Sequence, residues 1–316
     1  MNPPRVLVLG GGVSGLTCAV RIAETQRFDV TLIAEKLALE SLSRVAGASF
    51  YPHHVRHPRL DAWLAASLAE FRALAGIAGS GVRMRPALEV GTPGQPQFDA
   101  ALLPCTWQGD AWRFETAVMD VPTYLPWLVA RFERAGGRVR RERVASLDDL
   151  CAGDAIVVNC SGSEARALVR DPRVQPTLGH IVRIESNGID ELRLDPRAPS
   201  RPTYVVPREH EAVLGSIDLP WDADARGFEP PAADPAVTAD VVERCVALDA
   251  RVRGARVLDA YCGLRPVRDE VRLEIDEQRR SRGARVVHDY GHGGAGVTLS
   301  WGCANDVLRR VLQLAD

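Results

Sequence analysis

The sequence predicts an α/β protein in which a dinucleotide-binding domain is interrupted by an α+β domain built on an antiparallel sheet. Three observations predict it. The glycine string Gly10-Gly11-Gly12-Val13-Ser14-Gly15 directly follows the apolar run Val6–Leu9 and feeds the apolar helical stretch Leu16–Ala23. A second apolar run, Val30–Ala34, ends at Glu35, 20 residues after Gly15. A second glycine cluster, His288-Asp289-Tyr290-Gly291-His292-Gly293-Gly294-Ala295-Gly296, lies near the far end between a strand-like run and a helical one.

Each observation has a physical reason. A buried strand that turns tightly into a helix aims free N–H groups and the positive end of the helix dipole at a pyrophosphate. Glycine is needed there because a Cβ would block the approach of the phosphates. Glu35 stands where a carboxylate meets ribose hydroxyls, and its charge disfavours a 2′-phosphate. This half of the pattern is Rossmann-like, and it accommodates FAD and NAD equally.

Composition narrows the function classes. With 316 residues the chain is long enough for two domains and an ample core. Lys+Arg number 39 against 41 Asp+Glu, a net charge of −2, which offers no electrostatic reason to bind nucleic acid or an anionic membrane. Only one of those 39 cations is a lysine, Lys36, so a lone arginine carries little information outside a motif. The seven cysteines are odd in number and scattered without C-x-x-C or zinc spacing, so they read as buried thiols of a reducing compartment. No apolar run approaches the roughly 20 residues a membrane helix needs, and a cytoplasmic protein is expected. No metal site is expected, because nothing in the sequence supplies a carboxylate or cysteine partner for His288 and His292.

Along the chain, helical periodicity marks Leu60–Phe71 and Tyr124–Phe132, with Pro122 and Pro126 placed in the first turn of the latter. Strands are expected at Val139-Arg140, Ala155–Asn159, Ile181–Ile184, Tyr204–Pro207 and Val213–Ile217. A loop rich in proline and acid follows from Asp218 to Pro235, then helices at 236–248 and 297–313. The run Ala155–Asn159 ends in the small-residue turn Cys160-Ser161-Gly162-Ser163, which brings the chain back to the nucleotide domain, as Val286-Val287-His288 does later. The nucleotide domain is therefore discontinuous, 1–57, 137–180 and 281–316, and the substrate domain comprises 58–136 and 181–280.

These residues carry a family resemblance. Gly263-Leu264-Arg265-Pro266-Val267-Arg268, Val271-Arg272-Leu273-Glu274, the segment His288–Gly296 with Thr298, and Trp301-Gly302-Cys303-Ala304 resemble the C-terminal signatures of the D-amino-acid oxidase family. Ser43-Arg44-Val45-Ala46-Gly47-Ala48 and Val158-Asn159-Cys160-Ser161-Gly162 resemble its other flavin-contact segments, and Asp171-Pro172, Gln175-Pro176 and Gly179 extend the match over nearly the whole chain. The resemblance implies non-covalent FAD rather than NAD, and the oxidative deamination of D-amino acids to 2-oxo acids, ammonia and hydrogen peroxide, with O2 as acceptor. The implied FAD contacts are Gly10, Gly12, Val13, Ser14, Gly15, Glu35 and Lys36; then Ser43, Ala46, Gly47 and Ala48; then Val144, Ser161 and Gly162; and finally Gly293, Gly294, Gly296, Val297 and Thr298.

The chemistry of the residues agrees with the resemblance. An amino acid held over a flavin needs a fixed cation for its carboxylate, and the planar fork of arginine offers two parallel charge-assisted hydrogen bonds. The resemblance gives this role to Arg265, assisted by the Tyr204 hydroxyl, with the N–H groups around Gly294 facing negative charge developing on the flavin. Arg268 and Arg272 read as structural. Tyr51, His53 and Ser200 are the substrate-binding candidates. Ser200 stands where vertebrate-type members carry a lid tyrosine, and Ala295 where an aromatic residue is common, so a more open pocket is expected. His53 follows Tyr51-Pro52 at a position where the D-aspartate oxidase branch has a Pro-His pair, which keeps an acidic substrate, D-aspartate or D-glutamate, in play beside a solvent-facing loop histidine. An FAD-dependent dehydrogenase and a flavoprotein with altered chemistry stay open as well. The expected partners are a D-amino acid and O2, with a homodimer left open.

Overall fold

The computed structural model describes residues 3–316 apart from 52–54, 92, 93, 95, 97 and 152. Strands β1 (Arg5–Gly11) and β2 (Asp29–Leu37) flank the helix Val13–Ala23 and open a parallel sheet. The chain leaves it for the helix Leu60–Ala75 and strands β3 (Val82–Val90), β4 (Thr106–Gln108) and β5 (Ala111–Met119), then returns through the helix Val121–Arg134 with β6 (Arg138–Arg141) and β7 (Ile156–Asn159). A second excursion supplies β8 (Thr177–Glu185), β9 (Leu192–Asp195), β10 (Thr203–Pro207), β11 (Glu211–Gly215) and β12 (Leu219–Pro220). After the helix Pro235–Leu248 it closes with β13 (Val257–Arg265). The chain comes back with β14 (Val267–Ile275) and β15 (Arg285–His292), and ends in the helix Gly296–Ala315.

Two sheets result. The first runs β14-β15-β7-β1-β2-β6 and is parallel except for the β14–β15 pair. Its central strands are continuous apolar runs, Val6-Leu7-Val8-Leu9 and Ile156-Val157-Val158, because helices and loops cover both faces. The second runs β12-β8-β11-β10-β9-β3-β5-β4, with β13 on the other edge of β8, and is antiparallel apart from β3 against β9.

Three expectations are corrected here. Val267–Ile275 falls in the stretch assigned to the substrate domain, yet pairs with β15 in the first sheet. Its apolar positions Val267, Val271, Leu273 and Ile275 alternate with charged residues, the pattern of a half-buried edge strand. Thr177–His180, assigned to the nucleotide domain, already belongs to β8 of the second sheet. Pro126 lies inside the helix Val121–Arg134 rather than in its first turn, where Pro122 alone sits.

The main core joins the helices Val13–Ala23, Leu60–Ala75, Val121–Arg134 and Gly296–Ala315 against the first sheet. Its large side chains are also hydrogen-bonded: Trp301 Nε1 donates to the Tyr124 hydroxyl (2.9 Å) and Trp63 Nε1 to Asp306 Oδ2 (2.7 Å). Asp306 is only 1% exposed and is ringed by Arg59, Arg309 and Arg310. Among the described residues no helix is long and apolar enough to cross a membrane.

Burial pushes the Asp306 carboxyl up, but the Trp63 N–H and the neighbouring arginines outweigh this and hold it below the usual carboxylate range. A depressed pKa stabilises the fold above the unfolded value of about 3.9, and that contribution is lost as pH falls through the folded value. Asp306→Ala is expected to cost about 3 kcal/mol at pH 7, since it leaves buried donors unpaired. In thermal melts, the gap between the Tm of wild type and variant should shrink from pH 6 to pH 3.

Candidate active site

One cleft runs along the C-terminal edge of the first sheet and beneath the second, with a volume of about 470 Å³. Its middle is built from backbone. Gly10, at φ +121°, is the last residue but one of β1, and a Cβ on it would lie 2.3 Å from the Cys160 carbonyl oxygen. One on Gly15 would lie 1.9 Å from the Gly10 carbonyl oxygen. The turns after β1 and β7 can therefore nest only as glycine against backbone. Gly12 is the N-cap of the helix Val13–Ala23 and has no side chain to cap it, and Val13 N–H donates to Ser43 Oγ (3.0 Å). Ser161 Oγ and Ser163 Oγ are buried in the cleft wall, and neither has a hydrogen-bond partner among the described residues. A helix start with glycine at its N-cap, a close backbone turn and two unmatched hydroxyls fit a pyrophosphate.

Glu35 and Lys36 line one end of the cleft. β2 continues past Glu35 to Leu37, and the Glu35 carboxylate lies 3.8 Å from Arg143, beside Val144 on the same wall. Gly15 is packed under the turn and does not line the cleft, whereas Gly10, Gly12, Val13, Ser14, Ser161 and Gly162 do. Ser43, Ala46, Gly47 and Ala48 form the wall facing the helix start.

The opposite end is set by the second sheet. Tyr204 stands level with Leu194 on β9 and Gly215 on β11, so the three share one face. A Cβ on Gly215 would fall 2.0 Å from Tyr204 Cζ, and the ring lies where that side chain would be. Arg265 lies flat over Gly179, whose Cβ would be 2.8 Å from its Cζ. The guanidinium is held from behind: Nη1 donates to the Ile217 carbonyl (3.0 Å) and lies 3.3 Å from Asp218 Oδ1, and Nη2 donates to Ser216 Oγ (3.0 Å). Burial pushes the Tyr204 hydroxyl up despite the nearby Arg265, so it keeps its proton at neutral pH.

The glycine loop closes this end. Gly293–Ala295 form a single 3₁₀ turn, Gly293 N–H donates to the Pro266 carbonyl (3.0 Å), and the helix Gly296–Ala315 starts there. Gly293, Gly294, Gly296 and Val297 line the cleft. Thr298 does not; its hydroxyl donates to the Tyr51 carbonyl (3.1 Å) and ties the loop to that segment. Ala295 is buried in the main core at 1% exposure and walls no pocket, so it opens nothing. Arg268 and Arg272 brace the loop from below: Arg268 Nε donates to Asp171 Oδ2 (3.0 Å), as does the Tyr290 hydroxyl (2.9 Å), which accepts from Arg272 Nη1 (2.7 Å).

Other candidates are placed differently. Tyr51 lines the cleft, but its hydroxyl donates to Glu89 Oε2 (2.6 Å). Ser200 is exposed and off the cleft wall, and its carbonyl accepts the Asp218 N–H (2.9 Å). His53 lies outside the described residues. The fold does supply partners for His292: its Nε2 is 3.0 Å from Asp289 Oδ1, and Cys303 is adjacent. Cys18 and Cys160 reach the other oxygen of Asp289 at 3.4 and 3.8 Å. Cys18, Cys160 and His292 form a hydrogen-bonded cluster around Asp289 under the glycine loop with Cys303 beside it, and the three buried thiols are each raised above the usual pKa. His288 is bound separately between Asp276 (3.1 Å) and Asn159 (3.2 Å).

Ser216, Asp218 and Arg244 were not anticipated. Ser216 is fixed on every side, its N–H on Pro202, its Oγ under Arg265 and the His180 N–H, and its carbonyl on Arg244 Nη2 (2.9 Å). Arg244 Nη1 also donates to Thr203 Oγ1 (2.6 Å), next to Tyr204. No spacing in the sequence marks them, because they meet across strands and from a separate helix.

Comparison with known proteins assigns the chain. The family model described as FAD dependent oxidoreductase matches residues 5–310. The chain belongs to the D-amino-acid oxidase family of FAD-dependent oxidoreductases. It is 39% identical to a D-amino-acid oxidase of Rubrobacter xylanophilus, over 96% of this chain and 94% of that one. It is 41% identical to a D-amino-acid oxidase of Streptomyces coelicolor, over 96% and 95%. Among solved structures, glycine oxidase from Geobacillus kaustophilus superposes with a TM-score of 0.77 at 16% identity, covering 97% of this chain and 95% of that one, which is a likeness of fold. FAD is the cofactor of this family member, and the backbone cradle at Gly10–Gly12 with Ser161 is suited to hold its pyrophosphate.

Gly12→Val tests that cradle. Its first added carbon would lie 2.9 Å from Ser43 Oγ, displacing the acceptor of Val13 N–H. The variant should purify folded but with under about a tenth of the flavin of wild type, read from the ratio of flavin to protein absorbance. Acid precipitation of wild type should leave all flavin in the supernatant. Stoichiometric FAD in the variant would relocate the site.

Proposed function

We propose that the protein catalyses the oxidative deamination of D-amino acids, yielding a 2-oxo acid, ammonia and hydrogen peroxide. The observation that carries the reading is the pairing, at one end of the cleft, of a guanidinium fixed from behind with a protonated tyrosine hydroxyl. The relatives at 39 and 41% identity support the D configuration of the substrate.

Bound FAD supplies a two-electron acceptor for the α-hydrogen as hydride, and O2 restores it with formation of hydrogen peroxide. The protein contributes orientation. Arg265 and Tyr204 grip the carboxylate and so fix the Cα–H direction. Tyr204 stays neutral and donates; it does not accept the substrate proton. Tyr51 donates its hydroxyl to Glu89 and His292 is buried beside Asp289, and the reaction needs no base when the amine enters unprotonated. The start of the helix Gly296–Ala315 faces the cleft with its positive dipole end, which stabilises negative charge there. All seven cysteines are unpaired, which supports a reducing, cytoplasmic setting.

Arg265→Ala should lower kcat/KM for D-amino acids by on the order of 10²-fold or more, since it removes the buried partner of a charged group, while FAD stays bound. Arg265→Lys should rescue poorly, a point charge lacking the fork. Anaerobic bleaching of the flavin by D- but not L-amino acids, with one peroxide per turnover in air, tests the reaction itself. Near-normal turnover in Arg265→Ala would move the carboxylate site elsewhere.

A further inference from the structure

The proline- and acid-rich segment after β11 leaves the second sheet and crosses to the first. It is pinned where it starts: β12 pairs with β8, Trp221 N–H donates to the Pro176 carbonyl (3.0 Å), and Trp221 Nε1 donates to the Gly227 carbonyl (2.8 Å). Trp221, Ala223 and Leu264 form a small apolar cluster of their own, and Phe228 packs on it. From there the segment meets the nucleotide side twice. Arg166, on the turn after β7, grips both oxygens of Asp224 at 2.8 and 2.6 Å. Lys36, at the end of β2, pairs with Glu229. Phe228, Glu229 and Pro230 line the same cleft as Glu35 and Val144.

We propose that residues 218–235 are a strap from the substrate domain across the adenosine end of the FAD site, with Phe228 and Pro230 as the outer wall against the adenine. The assignment of this end follows from the other two. Arg265 and Tyr204 occupy the reacting end, and the pyrophosphate cradle lies in the middle, so the remaining end, at Glu35, Lys36 and Val144, receives the adenosine. An aromatic ring beside a proline is a suitable surface for a purine face. The Lys36–Glu229 latch is half to three-quarters exposed, at 50% and 77%, so it is weak, screened by salt, and able to open for cofactor exchange without unfolding either sheet. The inference rests on FAD as the cofactor and is independent of which amino acid is oxidised.

Two experiments test it. In the holoprotein, Phe228→Ala should raise the rate of FAD release about tenfold, the size of one base–aromatic contact, while Phe228→Trp should stay within about twofold of wild type. In wild type, trypsin cleavage after the exposed Arg226, identified by mass spectrometry, should be about tenfold slower with FAD than in the apoprotein, and ADP alone should give most of that protection. Unchanged FAD release in Phe228→Ala, or protection by FMN but not by ADP, would overturn the strap. Neither result depends on turnover, so failure here is distinguishable from failure of the proposed reaction.

Discussion

The arrangement depends on keeping one guanidinium charged and half-hidden at the end of a cleft. A charge taken out of water is tolerated only if its hydrogens are met, and Arg265 meets this with the Ile217 carbonyl, Ser216 Oγ and Asp218. The flat guanidinium needs a floor without a side chain, which Gly179 provides on β8, directly across from Gly263 on β13. Tyr204 needs the same from Gly215. The second sheet is thus less a platform than a template, whose strand register decides which glycine lies under which functional side chain.

That register is held from outside the cleft. The helix Pro235–Leu248 packs behind β8, β10 and β11, and its Arg244 joins the Ser216 carbonyl to the Thr203 hydroxyl. One side chain therefore ties the start of β10, which carries Tyr204, to Ser216, which accepts from Arg265 Nη2. The glycine loop is tied to the same end through Gly293 N–H on the Pro266 carbonyl, one residue from Arg265. The nucleotide half and the substrate half share the main core, and at the cleft they are joined by backbone hydrogen bonds such as this one, which suits a site where two molecules must be aligned closely.

Much of this was legible in the sequence, for a physical reason. Strand, glycine turn and helix at 5–23 follow from requirements local in the chain, and so does the second turn at 155–163. The charged pattern of Val267–Ile275 is equally local, but which of the two sheets the strand joins is not, and it was given to the wrong one. Ser216, Asp218 and Arg244 could not be read, because their roles come from cross-strand neighbours and from a helix that begins nearly twenty residues after β11 ends. Ala295 was misplaced because a 3₁₀ turn, rather than an open loop, aims its side chain into the core. The Asp289 partner of His292 was missed for a related reason: Gly291, at φ +86°, departs from extended backbone near the end of β15, where Asp289 and His292, three residues apart, are in contact.

Asp218 changes what the arginine can offer. Nη1 is committed to Ile217 and Asp218 and one Nη2 hydrogen to Ser216, so in the proposed site an incoming carboxylate is left Nε and the other Nη2 hydrogen together with the Tyr204 hydroxyl. Two carboxylates on one guanidinium repel each other, which weakens ground-state binding, but the resident one also stops the long arginine side chain from sampling other rotamers. In the proposed reaction, orientation gained in this way acts on the step where the α-hydrogen leaves, whereas affinity lost acts on capture of the substrate. A site that spends affinity on orientation favours turnover over tight binding, the arrangement expected when the enzyme's task is to raise kcat rather than to scavenge traces.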